Sequence, residues 1–347
     1  MQEIRHIPVR AHDGTQLMAY DCGGGPGPTL VLCNGLGGNI DAWRYFTAFF
    51  GPRHRIVSWD YRGLYRSGPA LGADYSVSTH ADDGLAVVQA FGLKKVVLVG
   101  WSMGVQVSFE IIRRHADQVL GLVLVNGTYG RPLATAFAPL LKTSPIKPWI
   151  PAILRAAEAV SHLAQPAQPY AQKLVQTKLA LTFLKGLGLV SATLDESAFM
   201  ELASQVAGLN MPRYMAILNS LGDHCAEAVL PSIERPVLIV TGDRDLFTPV
   251  EQSREMARRI VGAEMLVIPS GTHYTPLEFP ELIHLRVQKF LRERLGFDSD
   301  APLVQQPAPP AETPAKAPKT AGDSAVDPLP TPKPAKRPAR AKKPAAE

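Results

Sequence analysis

"VVLVGWSMGVQV", residues 96–107, joins two patterns that do not continue one another. Val96, Val97, Leu98 and Val99 form an unbroken apolar run, as expected of a parallel strand covered on both faces. The residues from Val105 onward, "VQVSFEIIRRHA", read as a helix. Between them Ser102 stands alone between two glycines, in Gly-Trp-Ser-Met-Gly. A strand that passes into a helix in so few residues must turn sharply, which favours glycine at the flanking positions and lifts the serine hydroxyl above the sheet. The helix that follows aims its first amides at the same place, where they favour developing negative charge.

Working outward, the pattern repeats. "TQLMAYDC" alternates and precedes the turn-rich "GGGPGP", which predicts a hairpin. "TLVLCN", "RIVSWD", "KVVLVG" and "VLGLVLVN" are short buried strands separated by helical stretches such as "DDGLAVVQAFGL". The rhythm stops, then resumes with "PVLIVTG", the helix "EQSREMARRI", the strand "AEMLVIP" and the helix "LIHLRVQKFLRERL". Alternating elements of this kind predict an α/β chain with a doubly wound, mostly parallel sheet. Residues 129–230 hold no convincing strand and read as short helices, an insertion expected to cover the carboxyl ends of the strands. The expected organisation is therefore a core over 1–128 and 231–297, a helical cap over 129–230, and a tail over 298–347. Twelve prolines among the last fifty residues predict that the tail is disordered.

The net charge of +5 is unevenly spread. "TPKPAKRPARAKKPAAE" at the C-terminus holds six Lys/Arg and one Glu, and residues 131–190 hold seven Lys/Arg against Glu158 alone. The remainder is net acidic, so two basic regions rather than a basic protein need explaining. Cys22, Cys33 and Cys225 are odd in number and lack CxxC spacing, which argues against a disulfide framework and for a reducing, cytoplasmic setting. The N-terminal "MQEIRHIPVRAHDG" lacks the apolar stretch of a secretory signal, and no apolar run reaches the roughly 20 residues of a membrane span. The histidines show no HExxH or His/Cys cluster, so neither a metal nor another cofactor is expected.

With Gly-x-Ser-x-Gly in a strand–turn–helix context, residues 10–296 resemble the α/β-hydrolase superfamily. That resemblance implies a triad in the chain order serine, acid, histidine. Asp245 stands in the Gly-x-x-Asp position of "VLIVTGDRDLFTP", and His273 follows the last strand in "MLVIPSGTHYTPLEFP". Ser102, Asp245 and His273 are thus the expected catalytic residues, with Asp243 expected to cap its loop. The resemblance also places an oxyanion hole at the backbone amides of Met103 and of Leu36, in "CNGLGGN", where Asn34 replaces the family's histidine. In "SWDYRGLYRSG", Tyr65 replaces a family glycine, and Asp60 and Arg62 are expected to be structural. Trp43, Trp101, Tyr274 and Leu277 are expected near the substrate pocket.

A serine triad performs acyl transfer. The apolar cap favours a small-molecule hydrophobic ester, cleaved in the manner of an esterase or lipase. Lactonase, carbon–carbon hydrolase, cofactor-free haloperoxidase and acyltransferase chemistry use the same triad. A non-catalytic binding module is the reading from another class, and the complete triad argues against it. Lys173, Lys178 and Lys185 lie among Leu, Val and Phe, which admits weak contact of the cap, or of the basic tail, with an anionic membrane surface. No fold that reads nucleic acid accompanies the tail, so no specific nucleic acid is expected.

Overall fold

The β-branched runs form one eight-stranded sheet in the computed structural model, which describes residues 3–137 and 149–297. Its strands are β1 (Arg5–Arg10), β2 (Gln16–Gly23), β3 (Gly27–Cys33), β4 (His54–Trp59), β5 (Val96–Trp101), β6 (Val119–Val125), β7 (Val237–Gly242) and β8 (Glu264–Ile268). They lie in the order β1-β2-β4-β3-β5-β6-β7-β8, with β1 and β2 antiparallel and the others parallel. The helices of the first half are α1 (Arg44–Phe50), α2 (Val77–Ala90) and α3 (Met103–His115). The cap carries α4 (Pro132–Thr135), α5 (Ile150–Val160), α6 (Gln168–Val175), α7 (Lys178–Gly186), α8 (Glu196–Ala207) and α9 (Met211–Asp223). After it come α10 (Val250–Arg259), α11 (Thr275–Glu278) and α12 (Pro280–Leu295).

The period of two along each strand builds two cores. Val96 and Leu98 of β5, with Leu122 and Leu124 of β6, pack with Leu85, Phe109 and Met256 on one face. Val97 and Val99, with Val123 and Val125, pack with Phe46, Phe50, Val287 and Phe290 on the other. This double burial explains why the strands read as continuous apolar runs.

Two expectations need correction. No hairpin joins β2 to β3, because β4 lies between them and pairs with both. The "GGGPGP" segment instead crosses the chain at Arg53 and His54, where a Cβ on Gly25 would come within 2.1 Å of the Arg53 carbonyl carbon. Those glycines serve a close crossing rather than a two-residue turn. The hairpin is one element earlier: β1 pairs in register with β2 around the turn at Ala11–Thr15. β1 escaped the sequence reading because it is a polar, largely exposed edge strand containing Pro8.

The cap leaves the sheet after β6 and returns before β7. An isolated antiparallel bridge between Gly130 and Cys225 closes its neck, with Arg131 N–H donating to the His224 carbonyl at 2.7 Å. Apart from that bridge the described cap residues are helical or loop, as the sequence predicts. The tail expectation concerns residues 298–347, which lie outside the described residues, as do 138–148 of the cap.

At the centre, β5 hands over to α3 through Ser102, whose φ of 56° and ψ of −115° are a costly conformation for a residue with a side chain. The turn is possible because both neighbouring glycines are hemmed in by backbone. A Cβ on Gly100 would lie 2.5 Å from the Gly104 carbonyl oxygen, and one on Gly104 only 1.9 Å from that of Cys33. Gly104→Ala should therefore lower unfolding free energy by about 3 kcal/mol, or prevent folding, since backbone rather than a side chain must move. Gly186→Ala meets nothing within 4 Å, and there urea midpoints should show no loss.

Candidate active site

Ser102 follows β5 and is met at the carboxyl ends of the strands by the loop after β3, which carries Leu36, and the loop after β8, which carries His273. Register sets this up: Cys33 pairs with Gly100, and Trp101 with Val125, so the loops after β3, β5 and β6 start level with one another. The crevice lies where strand order reverses, with β4 on one side of β3 and β5 on the other. α3 begins directly beneath the serine, and its C-terminal Arg113, Arg114 and His115 complement the opposite end of the dipole.

Ser102, Asp245 and His273 come together from positions far apart in the chain. His273 Nε2 lies 2.9 Å from Ser102 Oγ, and His273 Nδ1 lies 2.9 Å from Asp245 Oδ2. With a carboxylate facing Nδ1, that nitrogen carries the proton, and Nε2 is left to accept from the serine hydroxyl. Trp101 donates its indole N–H to the His273 carbonyl at 3.0 Å, tying the elbow to the histidine loop. Phe247 packs against the imidazole with ring centres 5.0 Å apart.

Asp245 is almost fully buried, so its charge needs donors from every side. Oδ1 accepts from the Phe247 and Thr248 amides at 2.9 and 2.8 Å. Oδ2 accepts from His273, from Thr248 Oγ1 at 2.7 Å and from Asn126 Nδ2 at 2.9 Å. Burial pushes the carboxyl pKa up, but the facing His273 and these donors outweigh it and hold the pKa below the ordinary value. Asp243 makes no such contact and accepts from the Ser270 amide at 2.7 Å, the loop-capping role expected of it.

Asn126 is the residue that sequence reasoning missed. It ends the strand stretch "VLGLVLVN", and it also donates to the Thr272 carbonyl at 3.0 Å and accepts from the Thr275 hydroxyl. Its φ of 44° lies in a region that Asn tolerates better than most residues, so the signal in the sequence was the residue type at the strand end. Glu278 was missed as well. It accepts from the Thr272 amide and hydroxyl at 2.8 and 2.6 Å and from the Ser191 amide of the cap at 2.8 Å.

Met103 follows Ser102 directly and Leu36 lines the same cavities as Ser102, and among the described residues neither backbone N–H has an acceptor. Their loop is held from below. Asn34 is fully buried, donating to the Trp59 carbonyl at 2.7 Å and accepting from Trp43 Nε1 at 2.8 Å, while Tyr61 donates to the Asn34 carbonyl at 2.7 Å. Asp60 and Arg62 are buried and structural: Tyr20 donates to Asp60 at 2.7 Å, and Arg62 grips Asp83 through two bonds of 2.8 and 2.6 Å.

Two cavities open on either side of Ser102 and share Leu36, His273, Tyr214 and Tyr274. One, of about 350 Å³, is walled by Trp101, Leu184, Phe199, Leu202 and Val206. The other, of about 450 Å³, is walled by Leu133, Ile150, Leu154, Leu218 and Phe247. Of the residues expected near the substrate pocket, Trp101 lines the first cavity and Tyr274 lines both. Trp43 and Leu277 do not line either cavity. Trp43 is drawn under the Asn34 loop because its buried indole N–H needs an acceptor, and Leu277 packs in the core beneath α11. Among the described residues no group of acidic, His and Cys side chains could hold a metal ion.

The buried carboxylate makes a pH-dependent contribution to stability. Because the native Asp245 pKa lies below the unfolded value of about 3.9, that contribution is complete above the unfolded value and is lost as pH falls through the native one. Asp245→Asn should therefore fall furthest short of wild type near neutral pH, with the gap closing on acidification below about pH 4. Urea titrations at stepped pH measure it, and a gap independent of pH would contradict the assignment.

The family described as "alpha/beta hydrolase fold" matches residues 28–280. Among curated proteins, "Putative carbamate hydrolase RutD" of Caulobacter vibrioides is 27% identical over 292 residues, covering 83% of this chain and 99% of its own. Among solved structures, a hydrolase from Pseudomonas aeruginosa PA01 superposes with a TM-score of 0.66 at 21% identity, over 83% of this chain and 98% of that one. A membrane phospholipase A described as a novel bacterial virulence factor gives 0.65 at 23% identity, over 85% and 87%. These two structures share the fold. The family match spans most of the chain and includes the elbow, the acid loop and the histidine loop, and the protein is a member of the α/β-hydrolase family.

Proposed function

We propose that the chain is a serine hydrolase that cleaves carboxylic esters of hydrophobic acyl groups through an acyl-enzyme intermediate. In this reading His273 Nε2 takes the proton of Ser102 as Oγ attacks the ester carbonyl carbon. The amides of Leu36 and Met103 hold the oxyanion, and Asp245 stabilises the imidazolium. Collapse expels the alcohol, which leaves with the proton from His273. Water then attacks the acyl-serine by the same route and frees the acid.

The observation that carries the ester reading is the pair of apolar cavities meeting at Ser102. An ester has two arms, and each cavity offers one of them an apolar wall. RutD is described as a carbamate hydrolase, and carbamates undergo the same attack at a carbonyl. Apart from the triad, Thr248 and the two tyrosines, however, the named walls supply few side-chain hydrogen-bonding groups for a small polar substrate. That composition supports the apolar ester over the carbamate.

Ser102→Ala should leave a folded protein that a fluorophosphonate probe no longer labels, and equal labelling of variant and wild type would remove the serine from the mechanism. Asp245→Asn should lower turnover by about 10⁴-fold, because the histidine loses its charged partner and its tautomer. Asp243→Asn should cost far less, and the reverse ranking would transfer the acid to Asp243. With p-nitrophenyl esters, each added acyl methylene should raise kcat/KM about three- to fourfold until the cavity is filled, as ~0.8 kcal/mol per buried methylene implies. A steady preference for acetate would overturn the hydrophobic-acyl reading.

A further inference from the structure

The cap helices are apolar on two faces. Leu184 of α7 and Val175 of α6 line the first cavity, and Ile150 and Leu154 of α5 line the second. The same helices also present large apolar side chains to the outside. Leu179 and Phe183 of α7 are 77% and 64% exposed, and Tyr170 and Leu174 of α6 are 76% and 61% exposed. Each pair is spaced i, i+4 and so shares one helix face. Of the thirteen exposed large hydrophobic residues among the described ones, nine lie between Trp149 and Leu187. A helix that needs only to cover a core keeps its apolar residues to one stripe. An exposed apolar concentration of this kind marks an interaction surface.

Charge selects the occupant. Lys173 and Lys178 are exposed on these helices and have no ion-pair partner among the described residues. Lys185, by contrast, is tied to Glu196 at 2.6 Å, and Arg155 to Asp223 at 3.2 Å. A second copy docking cap to cap would oppose the same free lysines. The C-terminal "TPKPAKRPARAKKPAAE" of this chain is itself cationic. Both occupants are disfavoured by like charge. An extended surface that is negatively charged outside and apolar just beneath satisfies both features at once.

We infer that the outer face of the cap docks on an anionic phospholipid bilayer, with Tyr170, Leu174, Leu179 and Phe183 entering the headgroup boundary and Lys173 and Lys178 facing lipid phosphates. The protein lies on the membrane rather than across it, since among the described residues no helix is long and apolar enough to span one. Docking places α6 and α7, which contribute Val175 and Leu184 to the wall of the first cavity, against the layer in which apolar esters dissolve. The inference deepens the ester reading in that respect, but the docking itself needs no catalysis.

The chain contains its own reporter. It has four tryptophans, of which Trp43, Trp59 and Trp101 are buried while Trp149, at the start of α5, is 66% exposed. The C-terminal tail has none. Full-length protein mixed with vesicles of phosphatidylcholine and phosphatidylglycerol in equal parts should show a blue shift of Trp149 emission that weakens as salt is added. Vesicles of phosphatidylcholine alone should produce little or no shift. Leu179→Ser with Phe183→Ser should weaken vesicle affinity about tenfold or more. Lys173→Gln with Lys178→Gln should weaken it by a similar factor at low salt. Neither pair lines a cavity, so thermal unfolding and fluorophosphonate labelling should match wild type. Sedimentation with anionic vesicles that the Leu179/Phe183 and Lys173/Lys178 variants retain in full would assign binding to the tail and overturn the inference. Equal shifts on neutral and anionic vesicles would also overturn it. So would a dimer in light scattering that the Leu179/Phe183 variant dissolves, since the face would then be a self-association surface. If the protein hydrolysed no ester but still showed the lipid-dependent shift, only the proposed reaction would fall.

Discussion

The close approach between the start of α3 and the end of β3 sets the geometry of the elbow and what surrounds it. Gly104 passes so near the Cys33 carbonyl that no side chain fits, and Gly100 is enclosed in the same way by the Gly104 backbone. That contact lets a 13-residue helix start one residue after a buried strand. Ser102 is left in a left-handed conformation at the top of the turn, between α3 and the loop that carries Leu36. Strain of about 1–3 kcal/mol at one residue is held in place by two flanking elements that are almost wholly buried.

The second organising feature is a buried charge that is thoroughly satisfied. Five donors from three segments meet the Asp245 carboxylate: Asn126 after β6, the Phe247–Thr248 turn, and His273 after β8. A carboxylate so enclosed would favour its neutral form without them. The same bonds fix the imidazole, whose carbonyl is tied to Trp101 beside the serine. Glu278 extends this order outward, linking the histidine loop to Ser191 at the edge of the cap. The cap is therefore anchored to the loop it covers rather than merely resting on the sheet.

Helices α5, α6 and α7 are apolar towards the cavities and apolar towards the outside. This accounts for a feature of the sequence that a hydrophobic-periodicity reading does not separate. A segment rich in Leu, Ala and Lys suggests an amphipathic lid, but it gives no indication that two different surfaces draw on the same apolar residues. Lys185 illustrates the difference. In sequence it belongs with Lys173 and Lys178, whereas in three dimensions Glu196 neutralises it.

The chain alone determined the elements that depend on local pattern. β-branched runs between helical stretches specified the parallel core, and Gly-x-Ser-x-Gly between a strand and a helix specified the elbow. The resemblance to the α/β-hydrolase family, through its chain order and motif register, singled out Asp245 over Asp243. What the tertiary structure decided is what depends on partners distant in sequence. The place of β4 between β2 and β3, the donation of Asn126 to a carboxylate 119 residues away, and the removal of Trp43 from the cavity wall are of this kind. Their common cause is that a buried polar group takes whichever partner the packed chain brings within about 3 Å. A strand likewise takes the neighbour that the crossover allows. Local spacing encodes the shape of an element and the direction of its side chains, but the identity of a partner is created only when the elements meet.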